Sequence, residues 1–397
     1  ASSEIAADVA FFEEERFTAF NAGRDALAAT FGRVANTIRS RDLLGYLGNR
    51  NILPKYGFPV DVVDLRTAHS GQATHLDLSR DLSMAIHEYA PGAQIVAGGK
   101  LWTSGGVYRL PGKELVSGWY AVCRSCGAFR RSMQQLDVLC EACGQPWHPR
   151  RWAVPEFGFM ADRQPGKVGQ RPLQRMWSGG SYVVDRGMAM HDSTLRGASG
   201  TVRIEAASRA RLMAVSEGPG SAGFLICDWC GRGLSRASTS KLPRTHDHLW
   251  ARKECGGTFA HKSVAHEFQT DIAVLDGLVP INASRDQALS LLYGLLEGAA
   301  ESLEIARDDI DGTLDNNAGG TQVVIFDTVP GGAGHAVRIA QSLEQVLSAG
   351  VRRLTACECG EETSCYACLR NYRNQSSHEL LSRGAALELM SVWVGGR

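Results

Sequence analysis

The chain has 397 residues, 44% of them apolar, and 42 Lys+Arg balance 42 Asp+Glu for a formal net charge of zero. That length allows two or three domains with a real core, and the balance removes any argument from overall basicity toward nucleic acid without excluding a local basic patch. No apolar run approaches the roughly 18 residues of a membrane span, and the acidic start ASSEIAADVAFFEEERF lacks the basic and apolar parts of a signal peptide, so a cytoplasmic chain is expected.

Residues 1–60 form a helical lead segment, with Phe11, Phe12, Phe17, Phe20 and Leu27 at helix-like spacings over its first 50 residues. The chain starts without Met, as a processed chain or a piece of a longer one does. Two prolines and a glycine in NILPKYGFPVDVVDL (51–65) end the lead, and VDVVDL reads as a strand. Residues 61–215 form a β-rich region, with short runs such as GWYAVC and SYVVD and a four-cysteine ribbon inserted; 163–175 read as a loop. A second ribbon-like region covers 216–275. Residues 276–397 read as an α/β unit. A helix over 284–307 is capped by Ser284 and carries Leu289, Leu292, Leu296 and Leu303 on one stripe. Then DDIDGTLDNNAGG is a loop, TQVVIFDTV a buried strand and PGGAG a tight turn. HAVRIAQSLEQVLSAG is a helix ending at Gly350, and a last helix over about 376–393 is capped by Ser376 or Ser377. The expected fold is mixed α/β (α+β): zinc-ribbon-type insertions on a β-rich region, followed by a C-terminal α/β zinc-binding domain.

The eleven cysteines argue against a full disulfide framework, because the number is odd and all but one fall in close pairs. Cys123-x2-Cys126 and Cys140-x2-Cys143 each precede a glycine, Gly127 and Gly144. A knuckle must turn back to aim both sulfurs inward, and glycine supplies the positive φ. The two pairs read as one tetrahedral sulfur site, with two redox pairs as the rival. Cys227, Cys230 and Cys255 are three ligands of a second site, which histidine completes. His248 is the preferred fourth ligand, with His246 and His261 as alternatives; His266 alternates with apolar residues and reads as a core histidine. Cys357, Cys359, Cys365 and Cys368 form the third site, for zinc rather than the rival iron–sulfur cluster. Three Zn2+ are expected. They add a charge of about −5, which Arg124, Arg130, Arg131, Arg252, Lys253, Arg370 and Arg373 are placed to offset. With no ligand set leaving an open position, the sites are structural and zinc hydrolysis is not expected.

Gly331, Gly332 and Gly334 stand where a helix begins, so their N–H groups read either as a tight turn or as a phosphate contact with His335. Asp308, Asp309 and Asp311 read as a solvated acidic loop. After the third site, Arg370 and Arg373 are placed for phosphate contact, Tyr372 for stacking, and Asn374 and Gln375 for polar contacts with nucleic acid. Inward packing of Tyr372 and Asn374 around the metal loop is the alternative.

CYACLRNYRNQSSHELLSRGAAL, FDTVPGGAGH and DDIDGTL together resemble the mitomycin-repair-factor zinc-binding domain. That domain closes certain superfamily 2 DEAD/DEAH-type helicases and helicase-associated proteins of DISARM-type phage defence. NILPKYGFPVDVVDL and PGAQIVAGGKLWTSGGV are similar to segments upstream of it, so the likeness runs from about residue 50 onward. It implies zinc on Cys357, Cys359, Cys365 and Cys368, DNA and a helicase motor domain or subunit as partners, and a role in DNA repair or antiviral defence; no membrane partner is expected, because no apolar run is long enough to span one. One departure matters: no Walker A loop occurs, so this chain alone is expected not to hydrolyse ATP and to be the tail or the partner of a helicase. The resulting expectation is a structural zinc-binding module that binds DNA or docks on a motor. The rivals are a nuclease or nucleotide hydrolase using Asp327, His335 and the glycine loop, and a protein-interaction scaffold.

Overall fold

The computed structural model describes residues 2–25, 28–29, 31–32, 35, 61–67, 76, 78–110, 113–169, 172–174, 176, 179–235, 244–317 and 320–394. The helical reading of 36–50 and the turn at 51–60 lie outside them. Two compact units emerge: Ala1–Val62 with Arg109–Glu114, and Val63–Tyr108 with Leu115–Arg397. In the first, α1 (Ser2–Asn21) buries Phe12 near Phe31, while Phe11, Phe17 and Phe20 stay exposed.

The larger unit begins with β1 (Val62–Arg66), β2 (Ser79–Asp81), α2 (Leu82–Glu88), β3 (Gln94–Ala97) and β4 (Lys100–Val107). β5 (Ser117–Val122), β6 (Phe129–Ser132), β7 (Arg150–Ala153), β8 (Phe159–Ala161) and β9 (Gly166–Lys167) follow, then β10 (Gly179–Asp185), β11 (Met188–Gly197), β12 (Gly200–Ser216), β13 (Phe224–Cys227) and β14 (Gly233–Ser235). The rest is β15 (His246–Asp247), β16 (Glu254–Cys255), β17 (Phe259–Asp276), α3 (Arg285–Leu303), β18 (Ile310–Asn317), β19 (Gly320–Asp327), α4 (His335–Gln341), α5 (Leu343–Ala356) and α6 (Arg383–Ser391). The fold is mixed α/β.

A smaller sheet, ordered β2-β1-β8-β4-β3, packs Trp102 and Phe159 against Ile86 and Tyr89 at α2. The larger sheet is built on an antiparallel trunk of β12 and β17, paired from Arg203↔Asp276 to Ser216↔Val264. Period-2 alternation explains the trunk's first half: Val202, Ile204 and Ala206 are buried, and Arg203 and Glu205 point away from them and pair with each other. A bulge between Ala207 and Ala210, with Arg209 at φ 56°, then re-aims the strand. At one end β17 pairs with β7 and β13, and at the other with β19. The segments 61–215, 216–275 and 276–397 therefore share one sheet. β18 comes alongside β10, where Thr313 Oγ1 donates to the Ser181 carbonyl at 2.7 Å.

α3 packs on the face of the trunk that presents Val202, Ile204, Ala273 and Leu275. Its start carries a full capping box: Ser284 accepts from Gln287 N–H, and the Gln287 side chain accepts from Ser284 N–H. α3 and α5 cross closely at glycines. A methyl on Gly298 would lie 2.3 Å from the Val346 carbonyl oxygen, and one on Gly350 2.3 Å from Met390 Cε.

Four expectations change here. Gly350 does not stop a helix; α5 runs through it to Ala356, because that glycine serves the crossing with α3 and α6. The expected single helix breaks at Ser342 into α4 and α5. IDGTLDNN is strand β18 rather than loop, held in register with β19 from Ile310↔Asp327 to Asn317↔Gly320, while Asp308 and Asp309 belong to a 3-10 turn over Arg307–Asp309. The last helix is α6, capped by Ser382, whose Oγ accepts from Ala385 N–H; Gln375–Leu380 form a separate 3-10 turn.

Candidate metal centres

Each knuckle follows from local chain chemistry. Gly127, Gly144 and Gly231 have φ of 73°, 70° and 76°, and each donates back to the first cysteine's carbonyl, Gly127 to Cys123 at 2.8 Å, Gly144 to Cys140 at 2.8 Å and Gly231 to Cys227 at 3.1 Å. The reversal aims both sulfurs of a pair at one point. All eleven cysteines are free thiols.

The ligand atoms of each group lie within 4.8 Å of one another. In the first, Sγ of Cys123 and Cys143 are 3.6 Å apart, and those of Cys126 and Cys140 3.7 Å. In the third, Cys357 lies 3.5 Å from both Cys359 and Cys365, and Cys359 3.7 Å from Cys368. A tetrahedron with bonds of about 2.3 Å has edges of about 3.8 Å. The sulfurs sit at zinc spacing, too far apart for disulfides and too close to surround a multi-atom iron–sulfur core. Backbone N–H groups, Cys126 first, pull the Cys123 thiol down to about 6, while burial pushes Cys126 up to about 12. A divalent ion is what would hold all four as thiolates.

The second group draws in His246, not His248. Cys227 and Cys255 are 3.9 Å apart, and His246 Nε2 is 3.4 Å from Cys230 Sγ. The reason is hairpin register: β15 and β16 pair His246 directly with Cys255. His248 lies two residues nearer the hairpin tip, where its Nδ1 faces the N–H groups of Trp250 and Ala251 at 3.4 and 3.2 Å. It closes the turn. His261 stands opposite Leu225 on β17, outside the group. Burial lowers the pKa of His246, favouring the neutral, ligating imidazole. N–H donors also reach the sulfurs at 3.4 Å: Trp229 to Cys227, Arg232 to Cys230 and Gly257 to Cys255. Such bonds stabilise thiolate charge.

Beyond the third group, the five residues expected to meet nucleic acid part ways. Asn374 is 2% exposed; its Nδ2 donates to the Leu369 carbonyl at 2.8 Å and its Oδ1 accepts from Asn371 N–H at 2.8 Å. Arg370 is turned inward, donating to Ser364 Oγ at 2.9 Å and to the His378 carbonyl at 3.4 Å. These two brace the metal loop. Gln375 is half-buried at the start of the 3-10 turn. Tyr372 is exposed, and its hydroxyl meets Glu88 Oε1 at 3.2 Å. Arg373 alone of the five lines a cleft of about 640 Å3. Arg124, between the first two cysteines, and Arg285, the first residue of α3, line it too. Sequence reasoning placed Arg124 near a centre but missed Arg285, because only the folded trunk brings α3 to the first knuckle.

Residues 291–369 match the MZB family model, the MrfA Zn-binding domain. That is the segment from α3 to the third centre. The chain as a whole is 25% identical over 412 aligned residues to Druantia protein DruE of Escherichia coli (strain UMEA 4076-1), covering 89% of this chain and 22% of that protein. It thus spans about a fifth of that relative's length. The crystal structure of DUF1998 helicase MrfA bound to DNA aligns at 10% identity with TM-score 0.36, over 80% of this chain and 32% of that one. The MrfA structure bound to DNA and AMPPNP gives 10% and 0.30, over 80% and 29%. Among the described residues no helix is long and apolar enough to cross a membrane.

The segment that matches the MZB model also contains the PGGAGH turn, and there the bound anion is the protein's own. Asp327, 0% exposed, accepts from Ala336 N–H on Oδ1 at 2.7 Å and from Ala333 and His335 N–H on Oδ2 at 2.5 and 3.1 Å. Asp271 Oδ2 accepts from Gly334 N–H at 3.1 Å, and a methyl on Gly332 would lie 2.3 Å from that carboxylate. Burial, then the charge of Asp327, raises the Asp271 pKa. Gly331 and Gly332 N–H donate to the Gln269 and Val329 carbonyls, both at 2.9 Å, so the turn's donors are spent on these carbonyls and the two carboxylates, leaving no cradle for phosphate.

Proposed function

We propose that this chain is the zinc-locked module of a DEAD/DEAH-type helicase system that contacts DNA while a motor on other sequence turns over ATP, in DNA repair or anti-phage defence. One observation carries the reading: the stretch matching the MrfA zinc-binding domain is the α/β unit whose last turn delivers four thiolates to a single point. In this reading the three ions lock loops and break no bonds. Closed ligand sets leave no site for an activated water. The alignment to about a fifth of a far longer relative supports a motor lying outside these residues.

The nuclease reading loses ground at Asp327, because both its oxygens are engaged by backbone donors in a sealed turn. An anisotropy titration of the purified chain with single-stranded and duplex DNA across salt tests the proposal. Affinity falling linearly in log–log form with salt is expected, since phosphate contacts release counterions. Absence of salt-dependent binding to either form would leave the protein-scaffold reading in its place.

A further inference from the structure

Three arginines from distant parts of the sequence converge on the one cleft, and each has a rigid root. Arg124 lies inside the first knuckle, between Cys123 and Cys126. Arg285 follows the Ser284 capping box of α3. Arg373 precedes Asn374, whose buried amide pins the turn. Other arginines near the centres and on α5 are matched with acids: Arg130 with Glu141 at 2.8 Å, Arg131 with Glu267 at 2.5 Å, and Arg353 with Glu297 at 3.0 Å. Among the described residues no carboxylate forms an ion pair with Arg124, Arg285 or Arg373. Two acids also line the cleft, Asp81, which caps α2 by accepting from Ser83 N–H, and Asp311, which accepts from Gly312 N–H; both keep their charge, and the guanidiniums outnumber them three to two. Guanidiniums on stiff supports with no carboxylate paired to them can take phosphate oxygens without first leaving an existing ion pair.

Shape and lining narrow the ligand. About 640 Å3 is the scale of a small ligand or a short stretch of one strand, not of a duplex. Tyr182, stacked on Phe129 at 4.5 Å and 8°, and Phe268 add aromatic surface of the kind on which bases stack. Ser376 and Ser377 add hydroxyls for phosphate oxygens.

We propose that this cleft seats a single DNA strand, its phosphates held by Arg124, Arg285 and Arg373. The proposal rests on the reading that the chain contacts DNA, and it names the site. The first zinc centre then has a second task, because it fixes where Arg124 points.

The test is a salt titration of zinc-loaded protein with fluorescent oligothymidylate, comparing Arg124→Ala, Arg285→Ala, Arg373→Ala and their lysine counterparts. Arg352→Ala, remote from the cleft, is the control, and unchanged zinc content checks folding. Each alanine is expected to lower the slope of log affinity against log salt by about 0.7, and all three together by about 2. Lysine restores the slope, and Arg352→Ala leaves it alone. DNA binding by the unmutated chain with unaltered slopes in all three alanine variants overturns the cleft and spares the broader function. No salt-dependent binding by the unmutated chain overturns both. Thymidine monophosphate displacing the oligomer as effectively as unlabelled oligomer does would reassign the cleft to a small phosphate ester.

Discussion

Gly127 of the first knuckle lies directly against Asn316 of β18: a methyl on Gly127 would sit 2.1 Å from Asn316 Nδ2. The relationship ties the first centre to a strand of the segment that matches the MZB model, although the two residues are far apart in sequence. It also separates two glycines that look alike in the sequence. Gly144 has nearly the same φ, 70° against 73°, yet a methyl there meets nothing within 4 Å.

Gly144→Ala therefore tests the left-handed backbone alone and should cost about 1–2 kcal/mol. Gly127→Ala adds a clash across the interface and should cost more, on the order of 3 kcal/mol or above. Denaturant unfolding of the zinc-loaded chains measures both. Equal losses would mean that the knuckle does not dock on β18 as described.

His246 and His248 make a second matched pair. His246→Ala should remove one zinc per chain, since it deletes a ligand of a group whose other three members are cysteines. His248→Ala should keep the full zinc content and lose only the acceptor for Trp250 and Ala251 N–H, about 1 kcal/mol. Metal analysis of the two variants decides; the reverse pattern would restore His248 as the ligand.

Asp327→Ala should be among the most damaging single changes, about 3–5 kcal/mol, because three N–H donors lose a buried charged acceptor. Asp327→Asn keeps one acceptor oxygen but turns an amide toward donors, and should cost about 1–3 kcal/mol. Unfolding curves check this. An Asp327→Ala chain with undiminished stability that has lost a DNA-nicking activity would revive the nuclease reading.

Acid should act in part through His87, which burial holds neutral down to about 4 from an ordinary 6.5. Its folded pKa lies below the unfolded one, so between those values the unfolded chain binds more protons and stability falls as pH falls. The window runs from about pH 6.5 to 4, with a ceiling of roughly 3 kcal/mol. Zinc release adds to acid loss in every variant, so the informative quantity is a difference. Melting temperature should fall less steeply with acid in His87→Gln than in the unmutated chain. Parallel curves would show that His87 titrates normally.

What could be read from sequence followed the range of the interaction. The knuckles were legible because a Cys-x2-Cys-Gly turn is closed by bonds spanning four residues. The Ser284 cap and the stripe on α3 were legible for the same reason. The ligand in the second centre was not, because His246 and His248 share a spacing pattern and only the pairing of His246 with Cys255 separates them. β18 was hidden by its polar composition. Its register with β19 makes it a strand, and Gly312 lies against Leu292 of α3, where a methyl would come within 2.5 Å of Leu292 Cδ1. Gly350 carried the signal of a helix end, while its role is set by Met390 and Gly294 on neighbouring helices. Arg285 carried no local signal.

The account stands on metal-gathered thiolates, and the zinc content of the purified, desalted chain tests that most directly. Three zinc per chain, falling to two when Cys255, Cys140 or Cys365 is singly replaced by serine, is the predicted result. A chain that folds with no bound zinc, or with its cysteines oxidised to disulfides, would contradict it.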